Sequence, residues 1–223
     1  AILLRNAHIE TSEPVENLQI PKHLKSEGDP GRYIVQAIGR IDRAFRDVLR
    51  GARAEVISYV PHNAYLVKAS AATVRQLQIS PRVQGVVPYE PYYKYDATLL
   101  PLAVQKKALP QGKWLKIALH PGEREKGKLA IESLGAEVVS EDSYPFGHLL
   151  TIRPASGSLV ALGQLPEVQL VEAYHERVLL TDLARFAAGV SSNTTATANH
   201  LGLTGNGVLV GVNGSGIDQT HPD

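Results

Sequence analysis

A chain of 223 residues with 43% hydrophobic content has material for one large or two small domains with ordinary cores, which excludes disorder as the default state. Its 23 basic and 22 acidic residues leave a formal charge of +1, too weak a field to attract nucleic acid or an anionic membrane surface, so neither is expected as a partner. The absence of cysteine excludes a disulfide framework, a Cys-ligated zinc and a Cys nucleophile.

The chain begins at Ala1 and contains no methionine, so the expectation is that an N-terminal segment such as a secretion signal has been lost, and that the protein is secreted or resides in the cell envelope. No apolar run approaches the length of a membrane-spanning helix. Residues 1–31 carry one strand-like piece, Ile2 to Leu4, followed by Pro14, Pro21 and Pro30, and read as a partly extended leader arm.

From Tyr33 the pattern becomes regular. A strand at Tyr33 to Ala37 precedes a helix from about Ile41 to Arg50, in which Ile41, Ala44, Phe45, Val48 and Leu49 share one face. Strands at Ala54 to Val60 and Ala64 to Ala69 flank a Pro61-His62-Asn63 turn. A short helix capped by Ser70 runs to about Gln78, and a last strand spans Val83 to Tyr89. The tyrosines at 89, 92, 93 and 95 suit either a recognition surface or, more commonly, packing between neighbouring modules.

The same order then returns. Ala54-Glu55-Val56-Ile57-Ser58 is echoed by Ala136-Glu137-Val138-Val139-Ser140, and Pro81-Arg82-Val83-Gln84-Gly85-Val86 by Pro166-Glu167-Val168-Gln169-Leu170-Val171. Matches at both ends of a unit mark a duplicated supersecondary module. The second copy is expected as Trp114 to Leu119, Arg124 to Leu134, Ala136 to Glu141, His148 to Arg153, Gly157 to Leu165 and Val168 to Tyr174. The fold expected is α+β, with two tandem ferredoxin-like βαββαβ modules at 32–98 and 99–180. A linker at 181–198 and the start of an α/β parallel-sheet domain at 199–223 follow.

That last portion holds the apolar run Val208 to Val212, the look of a buried parallel strand whose carboxyl end forms the rim of a site. Together with Ser215, Gly216, Ile217, Asp218, His221, Pro222 and Asp223 it resembles the segment carrying the catalytic aspartate in subtilisin-like serine proteases, with Gly214 at the aspartate position. Glycine supplies neither the charge nor the hydrogen bond that orients a catalytic histidine. Asp218 matches a structural acid of the pattern, and His221 lies in its H-P-D turn, so neither rebuilds a triad.

Two small βαββαβ modules before such a strand resemble the propeptide region of that family, whose prodomains act as folding chaperones and temporary inhibitors. Val168, Val171 and Glu172 match the V-x-x-V-E ending of family prodomains, whereas Val83 to Val87 lack the acid. The resemblance implies a cleft-binding tail from Ala173 to Thr181, with Glu172, Ala173, Tyr174, Leu179 and Leu180 as candidate contacts. It implies partnership with a subtilisin-like catalytic domain, in cis or as a separate chain, and with that domain's peptide or protein substrates. It requires no cofactor and allows calcium at Asp223. The function implied is the N-terminal part of a secreted subtilisin-like endopeptidase precursor, inactive by itself. The alternatives are a stand-alone inhibitor or chaperone, and a catalytically dead pseudoprotease module.

Overall fold

The computed structural model describes residues 1–11, 19–144, 147–175, 206–207 and 209. The chain divides into two compact units, Ala1–Tyr174 and His175–Asp223, and every strand and helix given below belongs to the first. The architecture is mixed α+β, built on antiparallel sheets with short helices.

The first four-stranded sheet contains β3 (Arg32–Ala37), β4 (Glu55–Val60), β5 (Ala64–Lys68) and β6 (Val83–Pro88), with α1 (Arg43–Gly51) and α2 (Ala71–Gln78) as the two crossovers. Its strand order is β4-β5-β3-β6, so the first and third strands of the unit are central. The second sheet follows the same plan. It holds β7 (Leu115–Leu119), β8 (Glu137–Tyr144), β9 (Gly147–Arg153) and β10 (Val168–Ala173) in the order β10-β7-β9-β8, with α4 (Arg124–Ser133) and α5 (Leu159–Gln164) between strands. The strands and helices expected for both copies are present, each end within three residues of its expected position.

Helix α1 starts later than the apolar spacing suggests. The Asp42 carboxylate accepts a hydrogen bond from the Phe45 amide at 2.7 Å and caps the helix, leaving Ile41 before it. Ser70 caps α2 through the Thr73 amide, as its position in the sequence implies.

The alternation of β3 buries side chains on both faces. Tyr33, Val35 and Ala37 meet Phe45 and Leu49 of α1 and Val74 and Leu77 of α2. Ile34 faces the other way, into a cluster with Val60, Leu66, Val87, Tyr89 and Tyr93. That cluster is closed by the leader. Residues expected as a partly extended arm form a hairpin of β1 (Ile2–Leu3) and β2 (His8–Ile9), in which Ile2 pairs with Ile9 and both are fully buried against the first sheet. Burying each such side chain stabilises by about 1.5–3 kcal/mol, which offsets part of the conformational entropy lost on ordering the leader.

The second sheet is covered on one face by α4 and α5. Leu115, Ile117 and Leu119 of β7, Leu150 and Ile152 of β9, and Val168 and Val171 of β10 pack with Ile131, Leu159 and Leu162. Leu24 of the leader and Tyr95, Leu99 and Ala103 of the connector join the same core; the last of these lies in α3 (Leu100–Val104), a short helix with no counterpart in the first copy's expected plan. Lys116 and Ala118 of β7, Leu149 and Thr151 of β9, and Leu170 and Glu172 of β10 alternate onto the opposite face. None of these residues belongs to a core cluster among the described residues.

Candidate functional site

Three of the expected tail residues lie among the described residues, and all three are held at the end of the second sheet. Glu172 pairs across the strands with Lys116, and its carboxylate forms an ion pair with Arg5 of the leader. Ala173 closes β10, and its amide donates to Asp96 Oδ2 at 2.6 Å. The Tyr174 amide donates to the Trp114 carbonyl at 3.0 Å, and the two rings lie 5.6 Å apart. The Arg153 guanidinium covers the same indole at 5.7 Å. The extended segment expected from Ala173 onward is thus sheet at its first residue, and Tyr174 continues the pairing.

Asp96 is the fastener of this strand end. Besides Ala173, its carboxylate accepts from the Thr98 amide and hydroxyl at 2.8 and 2.7 Å and from the Leu99 amide at 2.8 Å, while its own amide donates to the Val171 carbonyl at 3.1 Å. Burial acts to raise its pKa, but the hydrogen bonds from Ala173, Thr98 and Leu99 prevail and hold the carboxyl below the usual range.

The tyrosine run is packing between the two sheets rather than an exposed surface. Tyr89, Tyr93 and Tyr95 are buried; Tyr89 Oη donates to the Gln169 carbonyl at 3.0 Å and Tyr95 Oη to the Leu159 carbonyl at 2.9 Å. Burial raises the pKa of all three hydroxyls well above the free phenol value. Gly163 is required at this contact, because a Cβ there would meet the Tyr95 hydroxyl oxygen at 2.0 Å.

At the same seam lies a group of charges that sequence reasoning missed. Arg32 of β3 is 8% exposed and donates through Nη2 to Glu123 Oε1 at 2.9 Å, where Lys68 Nζ also reaches at 3.3 Å. Lys94 is 5% exposed, and its ammonium donates to the Leu165 carbonyl at 2.8 Å. Burial, reinforced by Arg32, brings the Lys94 pKa down to about 7. His120 is buried against the edge of Tyr89, its ring 6.4 Å away, and neither ring nitrogen has a hydrogen-bond partner among the described residues. Burial and the neighbouring Arg32, Lys94 and Lys68 push its pKa down to about 2, so the ring is neutral. These five residues are scattered from position 32 to 123, and no local spacing joins them; the one sequence signal is an arginine directly before the apolar Tyr33-Ile34-Val35 run.

Beside this group a cavity of about 550 Å³ opens, lined among others by Arg32, Tyr89 and Lys94, with Glu27 and Asp29 of the leader and Gln164 of α5 around it. The Asp29 carboxylate is occupied by the Tyr33 hydroxyl and the Gly31 and Ala71 amides, and the hydrogen bond from Tyr33 is the largest cause of its lowered pKa.

Gly214, Ser215, Gly216, Ile217, Asp218, Leu179, Leu180 and Asp223 lie outside the described residues. Among the described residues, no group of three or more His, Asp or Glu side chains is placed to hold a metal ion, and no helix is long and apolar enough to cross a membrane.

A family model described as a domain of unknown function (DUF8729) matches residues 3–90, fewer than half of the chain's 223. The match begins within β1 and ends just beyond β6, so it takes in the leader hairpin together with the first sheet. No curated protein and no solved structure matches the chain.

Proposed function

We propose that the chain is the pro-region and opening strand of a secreted subtilisin-like serine endopeptidase, built from two tandem ferredoxin-like modules that assist folding of the catalytic domain and inhibit it. The observation that carries this reading is the asymmetry between two sheets of the same plan. Both have the βαββαβ order with the first and third strands central. In the first, the face away from the helices is closed by the leader hairpin. In the second, that face carries half-buried Lys116, Leu149, Leu170 and Glu172 around buried Ala118 and Thr151, a mixed face that no helix of its own module covers, and docking on the helices of a partner domain would cover it further.

The division of labour follows. The first module braces the second, and the second bears both the docking face and the V-x-x-V-E ending formed by Val168, Val171 and Glu172. Because Ala173 and Tyr174 are tied to Asp96 and Trp114, strand addition to a substrate cleft starts no earlier than His175, with Leu179 and Leu180 as the apolar side chains it offers. With Gly214 at the aspartate position, the chain has no proteolytic activity of its own.

Reading the source gene across codon 214 and beyond codon 223 tests the precursor reading. Downstream H-G-T-H and G-T-S segments, with an Asp codon at 214, are expected. A downstream domain with those segments but a natural Gly codon at 214 would favour a pseudoprotease. A stop codon directly after Asp223 would leave an inhibitor or chaperone in place of a precursor.

A further inference from the structure

We propose that the cavity at the seam of the two sheets is a binding site for a small oxyanion, a phosphate or carboxylate group, held between Arg32 and Lys94. Both residues line the cavity, both are about nine-tenths buried or more, and they come from different parts of the fold, β3 and the inter-sheet connector. The Nε of Arg32 is buried and has no hydrogen-bond partner among the described residues, whereas its Nη2 is committed to Glu123. Glu123 takes one of the five N–H donors of the guanidinium, and Arg32 lines the cavity with donors beyond that one.

Lys94 is in the same position. Its ammonium has three donors, of which one meets the Leu165 carbonyl. Burial and the Arg32 charge lower its pKa against the opposing pull of Glu167 and Glu90, and an anion lodged between the two cations would add to that pull. Glu123 is committed to Arg32 and Lys68. A volume of about 550 Å³ accommodates a ligand larger than the ion itself, and the acids Glu27 and Asp29 in its lining, the latter saturated by its three donors, favour a ligand whose anionic group sits against Arg32 and Lys94.

The site follows from the seam alone and stands whether or not the chain serves a protease. Isothermal titration calorimetry of the full chain at constant ionic strength, with sodium phosphate in one arm, sodium acetate in a second and sodium chloride as the control, tests it. One saturable site for phosphate, acetate or both is expected, and the arm that saturates identifies the oxyanion. Lys94→Met should weaken that binding about tenfold or more, the loss expected for one charge-assisted contact, while Lys113→Met, at an exposed position outside the cavity lining, leaves it within a few-fold. Lys94→Gln provides the same readout if the methionine variant does not fold. Heats that fail to saturate in both arms, or equal affinity in the Lys94 variants, would overturn the proposal.

Discussion

Gly163 and Tyr95 show how narrow the tolerance at the seam is. The phenol reaches the Leu159 carbonyl in the first turn of α5, and its oxygen and ring carbons occupy the space a side chain at 163 would need. Gly163→Ala should therefore destabilise by about 1–3 kcal/mol despite the better helix propensity of alanine, read as a fall in the urea midpoint with an unchanged slope. His120 makes a second test at this scale. Its folded pKa, about 2, lies below the unfolded value near 6.5, so between those values the unfolded chain binds an extra proton and stability falls as pH falls. The groups facing it are Arg32, Lys94 and Lys68, all cationic, which act in the same direction as burial. Roughly 2 kcal/mol should be lost between pH 6.5 and pH 5 on its account. His120→Leu should flatten that part of a stability profile measured by urea titration at each pH; an unchanged slope would show that the imidazole is not the group responsible. Neither residue stands out in the sequence, because what makes them matter is a neighbour tens of positions away.

At the scale of elements, legibility followed length. The strands and helices of both copies carry five or more residues of clear period, and β3 through β10 lie close to where periodicity and the internal repeat place them. The two-residue strands β1 and β2 carry no period to read, and their burial depends on the exposed face of a sheet that the leader itself does not encode. Ile9→Ala should cost about 2–5 kcal/mol, a core-sized effect, if the hairpin is an integral layer of the first sheet; an effect below 1 kcal/mol would return the leader to the status of an arm. The start of α1 illustrates a competing local signal. Apolar spacing favours Ile41, but a carboxylate one residue later satisfies the Phe45 amide and fixes the boundary. Asp42→Ala should lower stability by about 1 kcal/mol, as measured by thermal or urea unfolding.

For the whole molecule, the duplicated plan was legible because two copies repeat the same apolar words, while the seam was not, because it joins Arg32, Lys94, His120, Glu123 and the tyrosines across the repeat boundary. The two copies are not equivalent. One sheet is closed by the leader on its second face, and the other ends in a strand bound by Asp96 and Trp114, with an amphipathic face opposite its helices. That asymmetry is the basis for assigning bracing to the first copy and partner docking to the second. The most direct test is steady-state inhibition by the full chain of a panel of subtilisin-like endopeptidases, assayed with a chromogenic peptide, beside a chymotrypsin-like enzyme as the control. Competitive inhibition confined to the subtilisin-like members is the predicted result, and absence of inhibition across the panel would contradict the pro-region account.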